Sequence, residues 1–165
     1  MVFNYYNRLS AAQKRTYRRS DEITAVPLPG AETLRPMVAA LERALAAGER
    51  SIVETVCRDL VKAMVAALKT PPLRVQVLAV RPSDDWGELH GLYTPVEGRR
   101  SAGIQLWMRT ARHKRVVAFK SFLRTLLHEF CHHLDYELYA LDDSFHTEGF
   151  YKRESSLFHQ LVVNE

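Results

Sequence analysis

Cysteine is nearly absent: Cys57 and Cys131 are the only two in 165 residues. No disulfide framework can hold such a chain, so a reducing, cytoplasmic setting is expected. Long apolar runs are missing as well. Apolar residues make up 47% of the chain, too many for disorder, yet too dispersed for a membrane protein. The first residues, Met1 to Arg8, lack the continuous apolar core of a signal peptide. Internal repeats and low-complexity tracts are absent. Acidic residues are missing from one long stretch. Between Glu97 and Glu129 there are none, while Arg99, Arg100, Arg109, Arg112, Lys114, Arg115, Lys120 and Arg124 all occur. Lys14, Arg15, Arg18 and Arg19 form a second basic cluster. The net charge of +4 is mild, so both clusters read first as solvated faces. Nucleic-acid contact through the stretch 99–124 is the sharper alternative.

Proline and glycine are missing from Ala118 to Leu138. There Phe119, Phe122, Leu123, Leu126, Leu127, Phe130 and Leu134 recur at spacings of three and four, which predicts an amphipathic helix. The helix carries His128-Glu129-Phe130-Cys131-His132, an H-E-x-x-H motif. Residues i and i+4 lie on one helix face, so His128 and His132 can grip one metal ion. Glu129 can then reach a metal-bound water as general base. This is the arrangement of a zinc-dependent peptidase. Cys131 points about 100° away from His132 and is not counted as a ligand.

A catalytic zinc usually has three protein ligands and one open position. Leu141-Asp142-Asp143-Ser144 contains turn formers, so the helix is expected to end near Ala140. The chain should then reverse and present His146 at the start of a second helix, about Thr147 to Val162. His146 is the leading third ligand, because imidazole suits zinc. Glu154 and Glu148 are the rivals, since some zinc peptidases take a Glu from a following helix. Asp142 and Asp143 read as turn or capping residues.

The pattern H-E-x-x-H, a short gap, then His146 with Phe150 four residues later resembles the SprT-like metalloproteases. Their tail typically reads H-G-x-x-F or H-G-x-x-W. In His146-Thr147-Glu148-Gly149-Phe150 the His and Phe match, while the glycine sits two places later. The resemblance covers roughly the chain from Pro72 to the end. It implies a small zincin-like fold with His128, His132 and His146 on Zn2+ and Glu129 as general base, acting on a protein or peptide substrate. It also implies a sheet edge beside the active helix that pairs with substrate backbone. Leu89 to Tyr93 or Gly103 to Met108 could supply that edge. The four-cysteine zinc ribbon that many members carry is absent.

The remaining elements follow in order. Ser10-Ala11-Ala12-Gln13 reads as a capping box opening a basic helix to about Arg19. Ala31 to Ala47, stopped by Gly48, and Arg50 to Leu68, stopped by Thr70-Pro71-Pro72, read as helices. Leu73 to Val80 alternates like a half-buried strand. Trp86 to Tyr93 and Gly103 to Met108 are further strands. The expectation is a single α+β domain over 1–165, with a helical part over 1–70 and a catalytic core over 73–165. His90 and Tyr151 are weighed as oxyanion donors, but read first as turn or packing residues. His113, His133 and His159 are not expected to be ligands. Asp135 could accept from a motif histidine, though a solvated carboxylate is the plainer reading. Two other functions stay open: a catalytically silent metal-binding regulatory protein, and a nucleic-acid-binding protein.

Overall fold

The computed structural model describes residues 2–163; Met1, Asn164 and Glu165, which the single-domain expectation includes, lie outside them. A 3-10 turn at Asn4–Arg8 leads into α1 (Ala11–Glu22), α2 (Ala31–Ala47) and α3 (Arg50–Leu68). Strands β1 (Leu73–Val80), β2 (Ser83–Asp84), β3 (Gly87–Glu88), β4 (Gly91–Thr94) and β5 (Ala102–Arg109) follow. Helices α4 (Phe119–Glu137) and α5 (Glu148–Leu161) complete an α+β fold.

Local chemistry explains most boundaries. Ser10 Oγ accepts the Gln13 N–H at 3.1 Å while Gln13 Oε1 accepts the Ser10 N–H at 2.9 Å. Both bonds of the expected capping box are therefore made. Gly48 closes α2 in the left-handed region. Thr147 caps α5, its hydroxyl accepting the Phe150 N–H at 2.9 Å. Helix α4 ends at Glu137 rather than near Ala140. Ala140 takes a φ of 50° and the Leu141 N–H reaches back to the Asp135 carbonyl, so the chain turns sooner than its side chains suggest.

The sheet is mixed and has the order β1-β5-β4. Strand β1 runs parallel to β5, with Val75 opposite Ile104, and β4 runs antiparallel to it, with Tyr93 opposite Ile104. Two sequence expectations need correction here. Gly103 to Met108 lies in the central strand, so it offers no free edge. Trp86 to Tyr93 is not one strand. Asp84 Oδ1 accepts the Asp85 N–H and the chain folds into the small β2–β3 hairpin before β4 begins, because turn chemistry outweighs strand propensity there.

One face of the sheet carries Val75, Val77, Ile104, Leu106 and Met108 into the core. Helix α4 packs against β4 and β5, α3 against β1, and α5 against α4, α1 and α2. The α4 stripe expected from sequence supplies Phe122, Leu123, Leu126, Leu127, Phe130 and Leu134 to that core. Gly149 shows how tightly α5 meets α1. A Cβ there would stand 2.5 Å from the Asp21 carbonyl oxygen and 2.7 Å from that of Ser20. The glycine of the His146 tail therefore sits at the point of closest approach between two helices.

Candidate metal centre

Helical spacing puts His128 and His132 on one face of α4, and the loop after α4 brings His146 to them. The His146 Nε2 lies 3.1 Å from His128 Nε2 and 3.1 Å from His132 Nε2. One nitrogen from each ring lies within 4.8 Å of the others, close enough to bind a metal ion. Phe150, fully buried, forms the floor beneath all three. Its ring centroid is 4.9, 4.8 and 5.2 Å from those of His128, His132 and His146. The aromatic residue four places after His146 thus supports the whole cluster.

The far side of two rings is held by acceptors. His128 Nδ1 stands 2.9 Å from Glu154 Oε1. A carboxylate accepts, so the proton sits on Nδ1 and the Nε2 lone pair is left for a cation. His132 Nδ1 is 2.6 Å from Ser144 Oγ, and Ser144 donates to Asp135 Oδ2 at 2.7 Å. With its hydroxyl proton committed to Asp135, Ser144 accepts from His132, which again leaves Nε2 free. Asp135 is fully buried, and Arg153 Nη2 donates to its Oδ1 at 2.9 Å. Arg153 also donates to the carbonyls of Ser20 and Ile23, at the end of α1. His132 is thereby tied through three side chains to the N-terminal helix.

His146 is held differently. Its backbone carbonyl accepts from Tyr5 Oη at 2.7 Å, so the N-terminal turn pins the loop. Tyr5 and Phe3 extend an aromatic cluster that includes Tyr17, Phe145 and Tyr151. The Tyr151 ring lies 6.1 Å from that of His128 and 5.9 Å from that of His146, and is substantially exposed. Burial, then the Glu154 charge, raises its phenol above its ordinary value, so it stays a donor.

Burial pushes the Glu129 carboxyl up to about 7. The Glu154 charge adds to this, while His128 and the Tyr93 backbone N–H oppose it. Gly91 of β4 lies directly against this carboxyl: a Cβ there would meet Thr125 Cγ2 at 2.8 Å and Glu129 Cγ at 3.1 Å. Burial, and the neighbouring His128 and His146, push His132 down to about 3, so it is neutral and able to ligate. His146 is also lowered, by partial burial of its ring and by His128.

Strand β4 is the free edge beside α4. The Trp107 N–H bonds the His90 carbonyl, so with the alternation of an antiparallel ladder the groups of Gly91 and Tyr93 face outward. His90 makes no ring contact with the three histidines among the described residues. His133 is a core residue: its Nε2 lies 3.1 Å from the Pro71 carbonyl and its Nδ1 2.9 Å from Tyr93 Oη. Of the two rival ligands, Glu154 holds His128 from behind, and Glu148 pairs with Lys152 at 3.2 Å. Asp143 is the turn residue expected, accepting the Ser144 N–H. Ser144, Arg153 and Tyr5 escaped the sequence reading, for nothing in their spacing marks them. Asp135 is the buried acceptor rather than a solvated one.

Two residues of the basic stretch have partners of their own. Arg109 donates to the carbonyls of Lys114 and Gly48, and Arg124 lies 3.9 Å over the Phe158 ring and 3.7 Å from Glu154. No helix among the described residues is long and apolar enough to cross a membrane. Comparison of the chain with protein-family models, curated proteins and solved structures finds no match.

Proposed function

We propose that this protein is a zinc-dependent metalloendopeptidase of the SprT-like kind, with a zincin-like fold. His128, His132 and His146 hold the ion and Glu129 is the general base. The observation that carries this reading is the convergence of three Nε2 atoms, two of them on rings fixed from behind, beside a buried carboxyl. Three nitrogens sharing a tetrahedral zinc at ~2.05 Å stand roughly 3.3 Å apart, and the two separations from His146, 3.1 Å each, suit that geometry. No fourth residue joins the cluster among the described residues, which fits a catalytic site with an open position better than a structural one.

Zinc bound there would supply Lewis acidity and a water of lowered pKa. The chain's own residues do the rest. An extended peptide lies along β4, using the outward groups of Gly91 and the Tyr93 carbonyl, while the Tyr93 N–H stays with the Glu129 carboxyl. Glu129, titrating near 7, takes a proton from the attacking water and passes it to the leaving amine. Tyr151 donates to the developing oxyanion.

Purified without chelator, the protein is expected to carry about one zinc per chain. Glu129→Gln should keep that zinc while peptide hydrolysis falls by on the order of a hundredfold or more. Cleavage at the parent rate would remove Glu129 from the mechanism. A chain that keeps zinc but never cleaves peptides would be a metal-binding regulatory protein, and one that refuses zinc at neutral pH would overturn the metal site as well.

A further inference from the structure

One large cavity lies away from the histidines. It is a groove of about 1220 Å³ between α3 and the sheet, on the β1 side. Its walls carry six cations, Arg50, Arg58, Lys62, Lys69, Arg74 and Arg100, against one carboxylate, Glu54. The β4 strand proposed to receive substrate is the opposite edge strand of the sheet, and only its last residue, Thr94, reaches the groove.

The edge of β1 in this groove is already closed. Glu54 Oε2 accepts the Val77 N–H at 3.0 Å, Arg50 donates to the Val77 carbonyl at 2.8 Å, and Arg58 to that of Val75 at 3.0 Å. These three residues recur every four positions along one face of α3 and stand in for a neighbouring strand. A ligand therefore cannot add as a strand here. It must be recognised by side chains.

The side chains are prepared for that. Lys62, Lys69 and Arg100 make no side-chain hydrogen bond or ion pair among the described residues. Arg74 is held in place: its Nε and Nη2 donate to Ser101, leaving Nη1 unused. It lies over Gly103, where a Cβ would stand 3.0 Å from Nη2. A fixed guanidinium with a free donor pair is a preorganised carboxylate receptor. Between the cations the walls carry aliphatic side chains, Val65, Leu73 and Leu78, beside the paired amides of Gln76 and Gln105, and no aromatic ring lines the groove. Single-stranded nucleic acid would need such rings to stack its bases. Aliphatic walls with a cationic rim instead match a peptide that mixes carboxylates with aliphatic side chains.

We propose that this groove binds an acidic peptide segment bearing interspersed apolar side chains, anchored by Arg74 and Lys62. The site stands independently of the metal centre. The test is fluorescence anisotropy on the full chain carrying Glu129→Gln, which prevents cleavage, with a short labelled peptide rich in Glu and Leu. That peptide should bind at low salt and weaken as salt rises. The Lys62→Ala/Arg74→Ala double variant should weaken it roughly tenfold or more. Arg112→Ala/Arg115→Ala, which removes the same charge elsewhere, should leave it unchanged. Three results would each overturn the proposal: no saturable binding at low salt, equal weakening by both double variants, or tighter binding of the same peptide with Lys in place of Glu. An oligothymidine bound more tightly than the acidic peptide, with the same loss in Lys62→Ala/Arg74→Ala, would also overturn it and assign the groove to nucleic acid.

Discussion

Two ionic networks, one between α4 and α5 and one between α3 and β1, do different work. Around the histidines, Arg153 and Asp135 are both fully buried, and their bond continues through Ser144 to His132. In the groove, Arg50 and Arg58 flank Glu54, with side chains 45%, 58% and 15% exposed, and cap the edge of β1. Burial makes the first network costly to break. An isolated buried charge has no water to fall back on. The second is cheaper to break, because solvent screens both arginines. The buried network can therefore hold a ring in one orientation. The exposed one leaves neighbouring cations free to meet a ligand.

The sharpest way to break this contrast is Arg153→Leu. It leaves Asp135 as an uncompensated buried carboxyl and frees the carbonyls of Ser20 and Ile23. We expect a loss of about 3–5 kcal/mol in folding stability by denaturant titration. A loss under about 1 kcal/mol would mean that the network adds little to the fold.

Ser144→Ala tests whether the same network orients the ligand. It removes the acceptor for His132 Nδ1–H, so zinc affinity, read by competition with a chromophoric chelator, should fall roughly tenfold to a hundredfold. Ser144→Thr, which keeps the hydroxyl, should recover most of it. Unchanged affinity in the alanine variant would show that His132 needs no support from this side.

The smallest effect belongs to the exposed network, and its signature is pH. Glu54 is held below its ordinary value of 4.5 by the Val77 N–H first, with Arg58 and Arg50 contributing despite an opposing effect of burial. A carboxyl lowered in the folded state stabilises above its unfolded pKa, and that stabilisation is lost as pH falls through the folded value. Glu54→Gln should therefore cost under about 1 kcal/mol near neutral pH. The difference from the parent should shrink as pH drops below 4.5. A difference that stays constant across pH would assign the effect to packing rather than charge.

Much of this was legible along the chain. The helices over 31–47 and 50–68, the strand over 73–80 and the motif helix all lie where periodicity and stop residues put them. Those signals are local: each reports one element's own hydrophobic face and ends. Hydrophobic patterning failed where a turn-forming side chain or a distant strand decided. Trp86 to Tyr93 reads as a strand until the Asp84 side chain bonds Asp85 and turns the chain. Gly103 to Met108 reads as a candidate edge until β1 and β4 pair on either side of it.

The site divides along the same line. His128, Glu129 and His132 were determined by sequence alone, because a helix turns 3.6 residues per revolution and makes i and i+4 neighbours. That His146 is the histidine that joins them, while Glu154 stands behind His128, was decided by the reversal after α4 and the packing of α5. Ser144, Arg153 and Tyr5 belong to the same class. Each acts through a bond to a residue far away in sequence or to a backbone carbonyl: Arg153 to Ser20 and Ile23, Tyr5 to His146. Hydrogen-bond direction and burial exist only once the chain is folded. A buried arginine and a solvated one are the same letter until α1, α4 and α5 close around it.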